Sequence, residues 1–231
     1  MVCISADTLP MCSGVLIGPH TVLTAGHCIN TLGPGVTYFV NFGPDCTKPR
    51  LRKRVEEQLT HPSYLAEGAP FDLGIIKLVS ASDVQPLPLS DVQPVVGATL
   101  RHVGYGTNQE MPMSGNGVQR SVAHALLRSD DDFLWSGDAT ANTCIGDSGG
   151  PVLVDEQIVA VVSDGPDCHS ESADQRIDRG REWIDAQLAA FDPPVDQPKP
   201  KTGCSAAPAS AWWLVLAALA RRATRKQSST R

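Results

Sequence analysis

A serine between glycines, Ser148, is the residue of this chain best placed to act as a nucleophile. It lies in the run GDSGGP, residues 146–151. A serine hydroxyl alone is a weak nucleophile, so catalysis needs a base beside it and donors for the oxyanion that its attack creates. Glycines permit a tight turn and leave backbone N–H groups free to face a ligand. The run therefore predicts a nucleophile loop, and a chance glycine-rich loop is the alternative.

Two upstream segments carry the partners that such a serine needs. Residues 23–28, LTAGHC, contain His27, and Asp72 opens the apolar stretch DLGIIKL at residues 72–78. With GDSGGP, these segments resemble the histidine, aspartate and nucleophile motifs of the trypsin/chymotrypsin family of serine proteases, in the family's order. One departure is Gly26, which stands where alanine is usual.

The resemblance implies an all-β fold, with two six-stranded antiparallel Greek-key barrels of the trypsin-like type and a C-terminal helix. It implies that Ser148 attacks, that His27 moves the proton and that Asp72 orients the imidazole. Backbone N–H groups of Gly146 and Ser148 would form the oxyanion hole. The function implied is a serine endopeptidase that works through an acyl-enzyme. A catalytically inactive binding module with the trypsin fold is the alternative.

The substrate pocket is where the sequence departs most from trypsin. Counting back from the nucleophile, the resemblance places Asn142 at the pocket floor, where trypsin-like enzymes have an aspartate that binds Arg or Lys. Ser163 and Gly165 fall on the substrate-binding edge, with Asp164 between them instead of tryptophan. An amide cannot supply a carboxylate's charge, so strict cleavage after basic residues is not expected. A small polar pocket of broad specificity stays open.

The chain contains seven cysteines, which indicates an oxidising compartment. The resemblance implies two disulfides. Cys12–Cys28 would hold the histidine loop in place, and Cys144–Cys168 would join the nucleophile loop to the wall of the substrate pocket. The pairing of Cys3 and Cys46 stays open, and Cys204 stands apart.

Composition favours a globular protein and disfavours a nucleic-acid binder. Hydrophobic residues make up 42% of the 231 residues and charged residues 19%. Seven of the 19 Lys and Arg follow Asp196, which leaves 12 basic and 25 acidic groups, or −13, in the preceding part. The basic cluster at residues 48–54 is expected to be a solvated loop or strand edge.

No spacing of His, Cys or acidic residues indicates a metal site, and no glycine run indicates a phosphate loop, so neither metal nor cofactor is expected. The histidines other than His27 lie in no comparable context. Surface or loop positions are expected for them: His20, His61, His102, His124 and His169.

The expected domain order begins with a protease domain at residues 1–191. Its first barrel covers about 1–85 and its second about 97–178, and helical spacing of apolar residues predicts a helix over about 179–191. The start lacks a signal peptide and the family's Ile-Val-Gly-Gly activation sequence. An incomplete start is preferred over unorthodox activation. In the family, the freed amino terminus pairs with the residue that is Asp147 here.

After the protease domain the composition changes. Residues 192–203 predict a Pro-rich extended linker, and residues 204–231 contain an apolar run, 206–220, followed by basic residues. Gly203-Cys204-Ser205, this run and the Arg-rich end resemble the myxobacterial C-terminal sorting signal (MYXO-CTERM type). That resemblance implies processing near Cys204. A simple membrane anchor and a buried helix are the alternatives.

The partners expected from these patterns are protein or peptide substrates and the machinery that sorts or processes the tail. Before processing, residues 206–220 would contact the membrane. We expect a monomer that binds no nucleic acid. It would be secreted or lie on the extracellular face of the cell envelope.

Overall fold

In the computed structural model of the chain, six strands of the N-terminal half close into an antiparallel barrel. The barrel order is β1-β2-β3-β6-β5-β4, and a short helix, α1 (Gly26–Asn30), follows β3. The strands are β1 (Val2–Ala6), β2 (Leu9–Leu16), β3 (Thr21–Thr24), β4 (Tyr38–Phe42), β5 (Leu51–Thr60) and β6 (Gly74–Leu78). The structure describes residues 1–30, 36–66, 68–111 and 113–194.

The first barrel forms because its strands bury aliphatic side chains inward. Val2, Ile4, Val22 and Val40 are at most 1% exposed and pack in one core, and strands with such side chains are stable only when a second surface covers them. Strand β5 differs, because it carries the basic cluster. It lies between β4 and β6 and is not a sheet edge, yet its arginines point to solvent.

The second half of the chain forms a seven-stranded antiparallel sheet. Its order is β8-β7-β11-β12-β13-β10-β9. The strands are β7 (Thr99–Gly104), β8 (Arg120–Ala125), β9 (Arg128–Ser129), β10 (Phe133–Ser136), β11 (Pro151–Val154), β12 (Gln157–Asp164) and β13 (Ser172–Arg176).

The two edges of this sheet are joined by the chain itself. Strands β8 and β9 are consecutive, and between them the Leu126 N–H donates to Ala98 O while the Leu127 N–H donates to Trp135 O. One bent segment thus bonds to the start of β7 at one end of the sheet and to β10 at the other, which brings the two ends of the sheet together. Seven strands occur where six were predicted, because this bend divides one strand into β8 and a two-residue β9.

A C-terminal helix packs across both halves. A 3₁₀ turn (Asp178–Gly180) leads into α2 (Arg181–Phe191). Ile184 is fully buried in a cluster that combines Leu23 of the first barrel with Ile158 of the second sheet. Among the described residues, no helix has both the length and the apolar character that a membrane crossing requires. The predictions for residues 195–203, Cys204 and the 206–220 run lie outside the described residues.

Two of the histidines expected at surface or loop positions, His102 and His124, are buried in strands, so that prediction was wrong for them; His61 follows β5 in a loop, as expected, but is buried there. His102 is 2% exposed and His124 8%, because both occupy inward positions of neighbouring strands, β7 and β8. His61 is 9% exposed because its ring stacks on Phe71 at 4.6 Å and meets Trp183 edge-on at 5.0 Å.

Candidate active site

The first barrel holds a histidine and a carboxylate together. His27 lies in α1 and Asp72 lies two residues before the start of β6, and β3 and β6 pair so that Thr24 is opposite Gly74. His27 Nδ1 lies 2.8 Å from Asp72 Oδ2, and the His27 backbone N–H donates to Oδ1 at 2.8 Å. Two contacts from one carboxylate therefore fix both the backbone and the ring of the histidine.

The second half of the chain completes the environment of this carboxylate. The Ser163 hydroxyl on β12 donates to Asp72 Oδ2 at 2.7 Å, and the Asp72 N–H donates to Gln175 Oε1 on β13 at 3.1 Å. Asp72 is 0% exposed. A buried carboxylate needs hydrogen-bond donors around it, and here both halves of the molecule supply them. Ser163, expected on the substrate-binding edge, also has this orienting contact.

The nucleophile segment is a tight loop ahead of β11. The Asp147 N–H donates to Cys144 O at 2.9 Å and the Gly150 N–H donates to Asp147 O at 2.8 Å. Gly149 has a φ of +78°, and a Cβ there would lie 2.6 Å from Ser13 O. Only glycine fits this position, because both the backbone angle and the close approach exclude a side chain. The loop is thereby pressed against the first barrel.

Ser148 lies beside the segment that carries the histidine. Its carbonyl oxygen accepts the Ser13 N–H at 2.9 Å and lies 3.6 Å from the sulfur of Cys28, the neighbour of His27 in α1. The structure therefore brings together the three segments that the sequence singled out.

Ser13 was missed in the sequence analysis. Its backbone N–H holds Ser148 O, its hydroxyl donates to Gly146 O at 2.9 Å, and the same hydroxyl accepts the Tyr105 N–H at 2.9 Å. It is 0% exposed. These contacts span up to 133 residues of sequence, and the only local signal was its place beside Cys12.

The arrangement leaves two backbone N–H groups available for an oxyanion. Within the described part of the chain, the N–H groups of Gly146 and Ser148 donate no hydrogen bond. Gly146 has a φ of +95°, a value that favours glycine. An oxyanion hole requires unpaired, preorganised donors of this kind.

Asp147 lines a cavity of about 290 Å³. Its carboxylate accepts the Gly106 N–H at 2.7 Å and the Cys144 N–H at 2.9 Å. Burial raises the pKa of Asp147, and these two hydrogen bonds offset that effect only in part. Asp147 thus has backbone amides as its direct partners.

The walls of the predicted substrate pocket approach each other closely. A Cβ at Gly165 would lie 3.3 Å from Ser172 Cβ. The Asn142 amide donates to Ser170 O, and its Oδ1 accepts the Thr143 N–H at 2.9 Å. The amide is therefore committed to backbone partners.

Three disulfides brace these loops. They are Cys3–Cys46, Cys12–Cys28 and Cys144–Cys168. The second and third pairs are those implied by the resemblance, and the first joins the two cysteines whose pairing was left open. The sulfurs of Cys12 and Cys28 also cluster with a His27 nitrogen within 4.8 Å. Because these sulfurs are disulfide-bonded, they are not thiolate ligands for a metal.

A sequence profile of the family described as Trypsin matches residues 1–184, which include the three segments above. The chain belongs to the trypsin family. This membership accounts for the order of the histidine, aspartate and serine segments along the chain. It confirms the family that the sequence motifs resemble.

Characterised relatives of this trypsin-family protein are distant in sequence. Phenoloxidase-activating enzyme of Bombyx mori is 28% identical over 69% of this chain and 49% of its own length. Kallikrein-1 of Mus musculus is 28% identical over 67% of this chain and 70% of its own. Trypsin of Saccharopolyspora erythraea is 26% identical over 71% and 80%. The chain spans about half the length of the first of these relatives.

Among solved structures, mouse neuropsin, described as a serine protease expressed in the limbic system of the brain, shares the fold. The TM-score is 0.70 over 81% of this chain and 93% of that one, at 22% identity. The likeness confirms the prediction of two antiparallel β-barrel sheets followed by a C-terminal helix.

Proposed function

We propose that this protein is a serine endopeptidase with Ser148, His27 and Asp72 as its catalytic triad. The observation that carries the proposal is the His27–Asp72 pair, with its 2.8 Å Nδ1–Oδ2 contact, beside the Ser148 loop. Trypsin-family membership supports the same chemistry. Intact triad residues also favour an enzyme over an inactive binding module.

The proposed reaction begins when Ser148 Oγ attacks the carbonyl carbon of a peptide bond. His27 takes the hydroxyl proton, and the oxyanion is held by the N–H groups of Gly146 and Ser148. The same imidazole then protonates the leaving amine, which yields an acyl-enzyme that water hydrolyses by the reverse sequence. Asp72 keeps the ring in one tautomer and stabilises its charged form.

For specificity we propose uncharged residues before the scissile bond. Asn142 carries no charge and its amide is engaged by backbone groups. A Lys or Arg side chain would therefore lose its hydration without gaining a carboxylate partner. We expect kcat/KM to be higher for peptides with Ala or Ser at this position than for those with Arg or Lys.

We propose that the protein acts outside the cytoplasm, secreted or on the extracellular face of the envelope. Three disulfides support an oxidising compartment. Processing near Cys204, membrane contact through residues 206–220 before processing, and a monomeric state belong to the same proposal. Its partners would be protein or peptide substrates and the sorting machinery.

The test is labelling with a fluorophosphonate probe, followed by mapping of the modified residue and a peptide-cleavage assay. We expect the wild type to be labelled at Ser148 and Ser148→Ala to lose both labelling and turnover while its unfolding curve stays the same. Ser63→Ala is the matched control, because Ser63 is exposed. A folded wild type that is not labelled would favour the binding module.

A further inference from the structure

A second histidine–carboxylate pair lies inside the second sheet, apart from the triad. His102 Nε2 on β7 is 2.8 Å from Asp174 Oδ2 on β13. The Ser136 hydroxyl on β10 lies 3.2 Å from the same nitrogen and 3.4 Å from the same oxygen. The three residues are at most 2% exposed, so this polar contact ties three strands together within the core.

The surroundings of this pair are mostly apolar. Leu100 on β7, Leu134 on β10 and Val152 on β11 are fully buried in the interior of the sheet. A buried polar pair contributes little to stability compared with apolar side chains of the same size. His102 Nδ1 and Asp174 Oδ1 have no hydrogen-bond partner within the described residues. The pair is therefore not explained by core packing.

The strands that the pair joins carry the wall and floor of the substrate pocket. Ser172 precedes Asp174 by two residues and points to the same face of β13. Its hydroxyl donates to Ser136 O at 3.4 Å and lies 3.5 Å from Asn142 Oδ1. Gly137 follows Ser136, and a Cβ there would lie 2.6 Å from that Oδ1. The Asn142 amide thus rests directly on the segment that the pair holds.

We propose that His102 and Asp174 are positioning residues of the substrate pocket, whose hydrogen bond holds β13 and the end of β10 so that Ser172 and Asn142 keep their spacing. The inference rests on the proposed protease function and names residues that set the specificity of that site. Neither side chain touches the reacting atoms. Their effect is on how the substrate side chain is held, and not on the attack by Ser148.

The kinetic test uses a double variant, His102→Leu with Asp174→Val, which removes both members of the pair together; of the polar groups around it, the Ser136 hydroxyl loses its two side-chain partners. We expect fluorophosphonate labelling of Ser148 within about twofold of wild type, because the small probe does not need the pocket. For peptides that differ only in the residue before the scissile bond, we expect KM to rise at least tenfold with kcat little changed. The kcat/KM values for peptides with different residues at this position should become more alike.

Two further variants separate positioning from bulk stability. His102→Gln keeps an N–H donor at about the reach of Nε2 and should restore the wild-type KM and preference. His124→Leu removes a second buried histidine, whose ring lies 5.9 Å from that of His102 and which forms no hydrogen bond with Asp174; it should leave KM unchanged. An unchanged KM in the double variant, or equal losses in labelling and cleavage, would overturn the proposal.

A readout independent of activity distinguishes this inference from the proposed function. We expect backbone amides of residues 142–144 and of β13 to exchange hydrogen at least tenfold faster in the double variant than in wild type. If the wild type is not labelled at Ser148, the protease proposal fails, while the exchange result still decides whether the pair holds the pocket segments. Equal exchange rates in the two proteins would show that it does not.

Discussion

Single polar side chains join the two halves of this molecule at the candidate active site. The Ser163 hydroxyl, on the second sheet, donates to Asp72 Oδ2 in the first half of the chain. The Ser13 hydroxyl, on the first barrel, donates to Gly146 O in the nucleophile loop. Each contact is buried, where a hydrogen bond is costly to leave unmade. The geometry of the site therefore depends on side chains that do not themselves react.

Ser13→Ala tests this dependence. Removing the hydroxyl leaves Gly146 O without its side-chain donor and the Tyr105 N–H without its acceptor. We expect a loss of about 1–3 kcal/mol in the free energy of unfolding, together with slower fluorophosphonate labelling. The control is Ser5→Ala, since Ser5 is equally buried in the same barrel and donates to Asp7 O. If both variants were labelled equally fast, the loop would not depend on Ser13.

At the scale of elements, His61 links the end of β5 to the C-terminal helix. Its Nδ1 accepts the Ser63 N–H at 3.1 Å, and its ring packs between Phe71 and Trp183. Burial lowers the pKa of His61 below its ordinary value. The neutral ring is therefore the form that the folded state accommodates.

Because the pKa of His61 is lowered in the folded state, the free energy of unfolding should fall as the pH falls. The unfolded chain takes up a proton at His61 as pH falls through about 6.5, whereas the folded state resists doing so. The contribution of His61 is therefore present above this pH and is lost on acidification. We expect His61→Phe to reduce the fall in unfolding free energy between pH 7.5 and pH 5.5. Urea denaturation at both pH values measures it, with His169→Gln, an exposed histidine, as the control.

Elements with a local signal were predictable from the sequence, and those set by distant contacts were not. Apolar runs predicted β11 and β12, and the spacing of Trp183, Ile184 and Leu188 predicted α2. The burial of His102 was not predictable, because the carboxylate that it pairs with lies on another strand. Asp174, the partner of His102, is 72 residues away.

The candidate site also contains residues that could be predicted from a local sequence signal and residues that could not. The order of the motifs singled out His27, Asp72 and Ser148 because each lies in a short, characteristic run. Ser13 and Gln175 carry no such signal, since their roles arise only when the two halves of the chain meet.

For the whole molecule, α2 is the element that returns from the second sheet to the first barrel. Asp192, at its C-terminal end, accepts the His20 N–H at 2.9 Å and the Thr21 hydroxyl at 2.7 Å. A Cβ at Gly18 would lie 2.6 Å from Leu188 Cδ1, so the β2–β3 turn lies directly against the helix. Together with the contacts of Ser13 and Asp72, these hydrogen bonds lead us to expect that the two halves depend on each other for stability.

Asp192→Ala tests whether the halves unfold together. The change leaves the donors on His20 and Thr21 without their acceptor, and we expect the free energy of unfolding to fall by about 2–3 kcal/mol. The control is Asp185→Ala in the same helix, which removes only an exposed pair with Arg181 and should cost less than about 1 kcal/mol.

The same variant shows whether the two halves unfold together. Because Asp192 contacts the first barrel from a helix that follows the second sheet, we expect both halves of the variant to unfold in a single, less stable transition. We would follow it by circular dichroism and by the loss of fluorophosphonate labelling. Two separated transitions in the variant would mean that the barrels are stable independently and that α2 only covers their surface.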